Sequence, residues 1–450
     1  MTKKSRLIVT LLTLVMAFTA TLNQTLMTTA LPVLMRDLQV NLNTVQWLTT
    51  GYVLVLGILT PLSANLYQRF TNRQVFLSTV SIFLAGTVLG IVAPSFWLLL
   101  LARLLQAAAA GIIMSFMQTI LLQIYPDNKR GTVMGLVSLV VSLAPAIGPS
   151  LGGLVVSLLS WRYLFILTLP VTLIILLLAI FFLPNVSETQ PIHLDAPSII
   201  ASSVGLAALL YGISIVTTNL VAGLMLMMAG LVVVTWFTLR QLKLTTPMLD
   251  IRLLKHRAFS VMTLLTLLVF GILMGTETIL PLLIETSLHQ SALIAGLVML
   301  PGAFALGLLS PVIGNYYDRH GMRGLFASGV ILTLLSSLPL LVVTNHTTLL
   351  FIGLVYVVRL IGISFLLSTS TTEAVKDLKG TAISYGTALN GALRQIGGSL
   401  FNTIMIAITS LASSMVLGFQ WAIGFTAVVT LIIGLIGWRY LRQSRVAVTD

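Results

Sequence analysis

The residues able to do chemistry in this chain are few, and they sit in apolar company. Only eleven of its 450 residues are acidic. Asp37, Asp127, Glu188, Asp195, Asp250, Asp318, Glu373, Asp377 and Asp450 fall between apolar runs or at their ends, whereas Glu277 and Glu285 share one apolar run of helix length. A carboxylate within a membrane span costs about 2.5–3.5 kcal/mol on insertion scales, so its retention points to function. The chemistry open to Glu277 is to load and release a proton, or to attract a cation. The plainer alternative is a static pair with an arginine, for which Arg394 has the right depth. Arg103, Arg359 and Arg394 also interrupt apolar runs, and each needs a carboxylate, carbonyls or water. Glu277, Arg103 and Arg394 are therefore candidates for proton coupling, with a tie between helices as the alternative for the arginines. Asn23, Gln24, Gln118, Glu285, Tyr385, Asn390 and Gln395 are candidates for lining a substrate cavity. For the amides the competing fate is interhelical hydrogen bonding. For Glu285 it is a solvated helix end, and for Trp47, Tyr52 and Tyr385 it is packing.

The elements that position these groups follow from composition. With 57% hydrophobic and 8% charged residues and a mean hydropathy of +1.06, the chain is an all-α integral membrane protein, far from the roughly 25% charged content of soluble domains. Runs of about 20 apolar residues predict fourteen spans, near 7–32, 44–66, 74–93, 97–124, 131–156, 162–183, 197–217, 220–241, 258–284, 291–316, 324–343, 348–371, 382–411 and 418–442. An even number puts both termini on one side. With that side cytoplasmic, 19 of the 24 Lys and Arg fall in cytoplasmic segments, only Arg36 and Arg162 fall outside, and three lie within spans; the positive-inside rule sets the orientation. Glu277 then lies about 19 residues, roughly 28 Å, into a helix entered from the cytoplasm. Trp97, Trp161, Trp236 and Trp438 fall near span ends, as interfacial anchors do. The first apolar run is too long for a signal peptide and is read as a retained span. The net charge of +13 is dispersed over short loops, which argues against nucleic acid. With no cysteine, disulfides, thiolate metal sites and cysteine catalysis are excluded.

Two further patterns carry the architecture. Ala144 to Gly153 places Pro145 and Pro149 among Gly148, Gly152 and Gly153 inside one span. In water each interior proline costs a helix about 3 kcal/mol, whereas in a bilayer neighbouring helices re-satisfy the freed carbonyls and small residues allow close approach. Ala64–Arg73 after span 2 is matched by Gly314–Arg323 after span 10, each followed two spans later by a lone arginine, Arg103 or Arg359. Two pseudo-symmetric six-span halves, 1–183 and 258–450, are therefore expected, with two spans inserted over 184–257; a substrate site belongs at their interface.

These residues carry a resemblance. Gly148-Pro149-Ser150-Leu151-Gly152-Gly153 resembles the fifth-helix antiporter motif of the major facilitator superfamily, with Ala144 where glycine is usual. Arg103 and Gln106 resemble its fourth-helix motif, although Ala107 replaces a glycine. Gly314, Asp318, Arg319, Gly321 and Arg323 resemble its cytoplasmic loop motif. Trp161 to Phe165, Pro170, and Asn390 with Arg394 to Gly398 resemble the fourteen-helix drug:proton antiporter branch. The resemblance implies a major facilitator fold (6+2+6) and a bacterial multidrug exporter in the cell membrane. The expected partners are protons, lipid and a hydrophobic or cationic drug, with no cofactor and a monomeric state. Two departures stand out. Asn23 occupies a position where these antiporters usually carry aspartate, and Gln68 replaces the aspartate of the first loop motif.

No enzyme constellation is present. His193, His256, His289, His320 and His346 are not in metal-ligand spacing, and no Gly-x-x-x-x-Gly-Lys-Ser/Thr cradle occurs, so the chain itself binds no ATP to drive transport. The leading reading is an exporter that alternates access by proton antiport. Its competitors are a lipid or amphipathic-anion exporter of the same fold, which the intramembrane arginines permit, and a non-transporting receptor or scaffold.

Overall fold

In the computed structural model, which describes residues 3–186, 195–216, 219–244 and 247–449, the chain is a bundle of fourteen long helices. Glu188, His193 and Asp450 lie outside the described residues. The helices are α1 (Lys3–Leu26), α2 (Trp47–Arg69), α3 (Asn72–Val92), α4 (Phe96–Ile124), α5 (Arg130–Leu158), α6 (Tyr163–Phe182) and α7 (Ala196–Ile215). There follow α8 (Leu220–Lys243), α9 (Arg257–Thr286), α10 (Ala292–His320), α11 (Arg323–Leu340), α12 (Leu349–Val375), α13 (Thr381–Leu411) and α14 (Met415–Thr449). Among the described residues, thirteen helices are long and apolar enough to cross a membrane. The exception is α13, whose 31 residues include Asn390, Arg394, Gln395 and Asn402.

Polarity is inverted relative to a water-soluble bundle. Phe181, Val221 and Leu350 are exposed on the perimeter, while Arg103, Arg359, Gln106 and Thr276 are fully buried. That distribution suits a hydrocarbon solvent, in which the polar groups must find their partners inside. Trp97 is exposed in the first turn of α4 and Trp236 towards the end of α8, as anchors are, whereas Trp438 is exposed about three turns before the end of α14. Trp161 is not an anchor: it is fully buried, donates its indole N–H to Asp37 at 3.1 Å, and lies under the Arg162 guanidinium.

The two groups of six helices repeat one packing pattern. Within the first, α1 packs on α4, α5 and α6, α2 on α4, and α3 on α4 and α6; within the second, α9 packs on α12, α13 and α14, α10 on α12, and α11 on α12 and α14. The inserted α7 lies over the seam between α2 and α13, and α8 packs outside α7. Asp195 just before α7 accepts two 2.8 Å hydrogen bonds from Arg240 of α8. These bonds hold its carboxyl at about 2, below the usual carboxylate range. This clasp is complete at neutral pH and is lost only as pH falls towards that value.

The halves meet where α5 crosses α10 and where α13 crosses α2 and α4. Near the end of the bundle that carries both chain termini, which we call the base, α5 and α10 touch backbone to backbone. A Cβ on Gly131 would run into the carbonyl of Gly314, one on Gly314 into that of Gly131, and one on Gly135 into that of Ser310. Towards the far end α5 turns instead to the end of α1 and the turn after it: side chains at Gly148 and Gly152 would collide with Thr25 and with Leu26 and Thr29. The glycine stripe thus fastens α5 within its own half, and helix α5 runs unbroken through Pro145 and Pro149. Gly153 faces open space. Replacing Gly314 by valine should wedge the halves apart at the base. In this cysteine-free chain, the buried Thr387→Cys would then react with maleimide several-fold faster, whereas Gly153→Val would leave its labelling unchanged.

Candidate functional site

Three intramembrane arginines divide by how they are satisfied. Arg103 of α4 donates to the Asn23 backbone carbonyl at 3.2 Å and to the Asn23 side-chain oxygen, to Gln106 at 3.2 Å and to the Leu48 carbonyl at 3.4 Å. It also lies 4.3 Å from the Tyr52 ring centroid, and Tyr52 in turn donates to the Ala20 carbonyl. Arg359 of α12 donates to Ser337 at 2.8 Å, Thr426 at 2.7 Å and Thr276 at 3.4 Å. Neutral oxygens on three helices thus disperse each charge, which makes both arginines ties between helices. Arg394 of α13 is different. It rests 5.0 Å from the Phe270 ring centroid, and no hydrogen bond or ion pair reaches it among the described residues.

Glu277 is the matching exception among the acids. It is half-buried on α9 near Tyr356 of α12, with no hydrogen bond or ion pair among the described residues. The static Glu277–Arg394 pair is absent. Arg394 lies against Phe270, seven residues and about 10 Å earlier along α9. Phe270, Met274, Glu277 and Pro281 fall on one face of α9 by helical spacing, and that face meets Gly398 of α13 through Phe270 and Met274. The second-half residue that meets Arg359 as Asn23 meets Arg103 is Thr276, and Glu277 is its neighbour on α9.

Of the predicted cavity residues, Gln24 and Gln395 are half-buried and free of hydrogen bonds among the described residues, and Gln118 is buried and equally free. Gln395 lies beside Gly57 of α2, across the interface. Asn390 reaches Thr263 of α9 at 3.5 Å. Asn23 is only 3% exposed and spends its side chain on Arg103, so it is a tie and not a cavity wall. Glu285 is exposed in the last turn of α9, eight residues beyond Glu277. Tyr385 sits four residues into α13, at the base. Its hydroxyl there donates to Gln68 and to the Pro247 carbonyl, each at 3.1 Å.

The base itself is a latch built on helix ends. Asp318, near the end of α10, accepts from the backbone N–H groups of Gly131 and Thr132 at 2.6 and 2.8 Å, and from the Thr132 hydroxyl at 2.7 Å. Those are the first, otherwise orphaned donors of α5, where the helix dipole favours a negative charge. Arg130, one residue earlier, donates to the carbonyls of Val375 and Lys376 at 2.5 Å and of Leu378 at 2.8 Å, closing the C-terminus of α12. Gln68 donates to Ser384 at 3.3 Å, and Thr119 meets Thr387 at 2.7 Å. Gly321 takes φ +73° to end α10, which favours glycine there, while Arg319 and Arg323 are exposed.

Arg130, Glu373 and Tyr317 were not singled out from sequence. Glu373 accepts from Tyr317, from Tyr440 at 2.9 Å and from Lys376 at 2.5 Å, and so fixes the residue beside Asp318. The repeat held a signal for it: Tyr67 donates to Gln123 in the first half as Tyr317 does to Glu373 in the second, at the same sequence separation. A groove of about 670 Å³ between α11 and α14, lined by Phe326, Leu435 and Trp438 and flanked by Arg323 and Arg442, opens on the outer surface of the second half. It is no part of the central face.

Two outcomes follow. Asn23→Leu strands Arg103 and should lower stability by about 2–3 kcal/mol, read as a fall in melting temperature in detergent, whereas Asn23→Asp should retain the fold. Asp318→Asn should weaken the latch by about 1–2 kcal/mol, read as faster labelling of Thr387→Cys; an unchanged rate would remove Asp318 from the latch.

With this geometry in hand, comparison with known proteins is decisive about the family. The Major Facilitator Superfamily profile matches residues 13–402. The chain is 45% identical to the MFS-type transporter YcnB of Bacillus subtilis (strain 168), whose name marks it as uncharacterized, over 88% of this chain and 84% of that one. It is 31% identical to the lincomycin resistance protein LmrB of the same organism, over 96% and 95%. Among solved structures, the human organic anion transporter MFSD10 (TETRAN) superposes with a TM-score of 0.68 at 17% identity, covering 96% of this chain and 99% of that one, a likeness of fold. The chain belongs to the Major Facilitator Superfamily and is a multi-pass membrane transporter rather than an enzyme.

Proposed function

We propose that the protein is a secondary active exporter that moves hydrophobic or cationic drugs out of the cell in exchange for protons. The observation that carries this reading is Glu277: a carboxyl with no hydrogen bond or ion pair among the described residues, on the α9 face that meets α13. A proton or a cationic substrate can compete for such a group, and competition for one charge couples two ligands. Arg103, satisfied by the neutral Asn23, serves in this reading to hold α1 and α4 together rather than to relay protons. The name of LmrB as a lincomycin resistance protein supports drug efflux as the activity.

In this account the segments 1–183, 184–257 and 258–450 are two moving halves and an inserted pair, and the chain works as a monomer. The dispersal of basic residues supports both termini in the cytoplasm of a cell-membrane protein. The base is then the cytoplasmic side, and the latch of Asp318, Arg130 and Gln68 seals it. A rocking of the halves that breaks these contacts opens the path to the cytoplasm, and protonation of Glu277 biases the exchange by binding the two states unequally.

Glu277→Gln keeps the shape and removes the charge. In proteoliposomes it should abolish efflux driven by a pH gradient while leaving slow, gradient-independent exchange of substrate. Glu277→Asp should retain partial coupling. Proton-driven transport at the wild-type rate in Glu277→Gln would contradict the assignment.

A further inference from the structure

We infer that Arg394 is a binding site for the anionic group of an amphipathic substrate: a carboxylate, sulfonate or phosphate joined to an apolar body. This rests on the central face of α9 and α13 being the substrate path proposed above.

The argument begins with direction. On α13, Thr387, Arg394 and Gly398 share one face by helical spacing. Thr387 on that face bonds Thr119 of the opposite half at 2.7 Å, and Gly398 meets Phe270 and Met274 of α9. Arg394 therefore lies against α9 of its own half, about 10 Å along α13 from the contact that Thr387 makes with the first half. Gln395, beside it, reaches Gly57 of the first half.

Satisfaction is the second step. Arg103 and Arg359 lie in equally apolar helices, and each donates to at least three side-chain or backbone oxygens. Arg103 and Arg359 each also keep one buried nitrogen unmet, but Arg394 has no hydrogen bond at all among the described residues and rests only on a ring. Among the described residues, the ion pairs are Arg130–Asp127, Arg240–Asp195 and Lys376–Glu373, and none involves Arg394. A guanidinium kept in such a place lacks an acceptor that an incoming anion can supply, in the forked geometry that suits carboxylate, sulfonate and phosphate oxygens. Phe270 and Met274 offer the adjoining apolar surface for the body of the molecule. Glu277, roughly 10 Å farther along α9, carries the opposite charge. Zwitterions with a basic group at that distance from the acid fit both ends.

Binding without any gradient tests this independently of proton coupling. Purified protein in phosphatidylcholine nanodiscs is titrated with a matched pair, 2-naphthalenesulfonate and 2-naphthylmethylammonium. Arg394→Gln should weaken the sulfonate about ten-fold and leave the ammonium compound unchanged, and Arg394→Lys should fall between wild type and Arg394→Gln. Repeating the sulfonate titration with phosphatidylglycerol in the nanodiscs separates the sources: displacement assigns the site to a lipid phosphate, and undiminished binding assigns it to a soluble anion. Equal sulfonate binding by wild type and Arg394→Gln, or parallel loss of both probes in Arg394→Gln and Arg394→Lys, would overturn the inference. Intact Arg394-dependent binding without proton-driven transport would instead count against the exporter reading alone.

Discussion

A charge surrounded by hydrocarbon must find a partner within the protein, and the interior of this bundle is arranged around that constraint. Arg103 is met by Asn23, Gln106 and the Leu48 carbonyl, and Arg359 by Ser337, Thr276 and Thr426. Each therefore binds its own half together across helices distant in sequence. Asp318 and Arg130 are met by helix ends, which makes their satisfaction depend on the two halves being together. Glu277 and Arg394 are met by neither. Structural charges are thus satisfied within a half and latch charges across the halves, while the two unpaired charges lie on the α9 and α13 helices of the second half; in the proposed function a proton and a substrate serve as their partners.

The same constraint explains why the repeat is unequal. Tyr317 and Asp318 of the second half correspond to Tyr67 and Gln68 of the first, and Glu373 corresponds to Gln123. Both carboxylates of the second-half latch are amides in the first. An amide can still bridge, as Gln68 does to Ser384 and Tyr385, but it neither titrates nor complements a helix dipole as an anion does. The electrostatic part of closure is thereby concentrated at the start of α5. The backbone contact of Gly131 with Gly314 brings those helix ends close enough for it to act.

Much of this was legible in the residues. Hydropathy runs placed the helices because a bilayer imposes span length, and the matching segments before Arg73 and Arg323 exposed the two halves. The glycine–proline stripe announced close packing, although only the structure assigns Gly148 and Gly152 to α1 and Gly131 to α10. Side-chain roles were legible only where depth along a helix decides them. Tyr385, four residues into α13, and Glu285, in the last turn of α9, lie too near helix ends to line a central cavity, and the predicted span limits already implied it. Asn23 as the partner of Arg103, or Glu373 as that of Tyr317, depends on contacts between residues 80 and 56 positions apart. No local pattern encodes such contacts; only the repeat, read across the two halves, hints at the second. The inversion at Trp161 has the same origin: Asp37, 124 positions away, supplies the acceptor that draws the indole inside.

The central claim is that Glu277 exchanges a proton for substrate. Its most direct test is to add a cationic substrate to weakly buffered, purified protein and follow proton release with a pH-sensitive dye. The account predicts release from the wild-type protein upon binding, and none from Glu277→Gln at saturating substrate. Equal release from both proteins would place the exchanging proton on another group and contradict it.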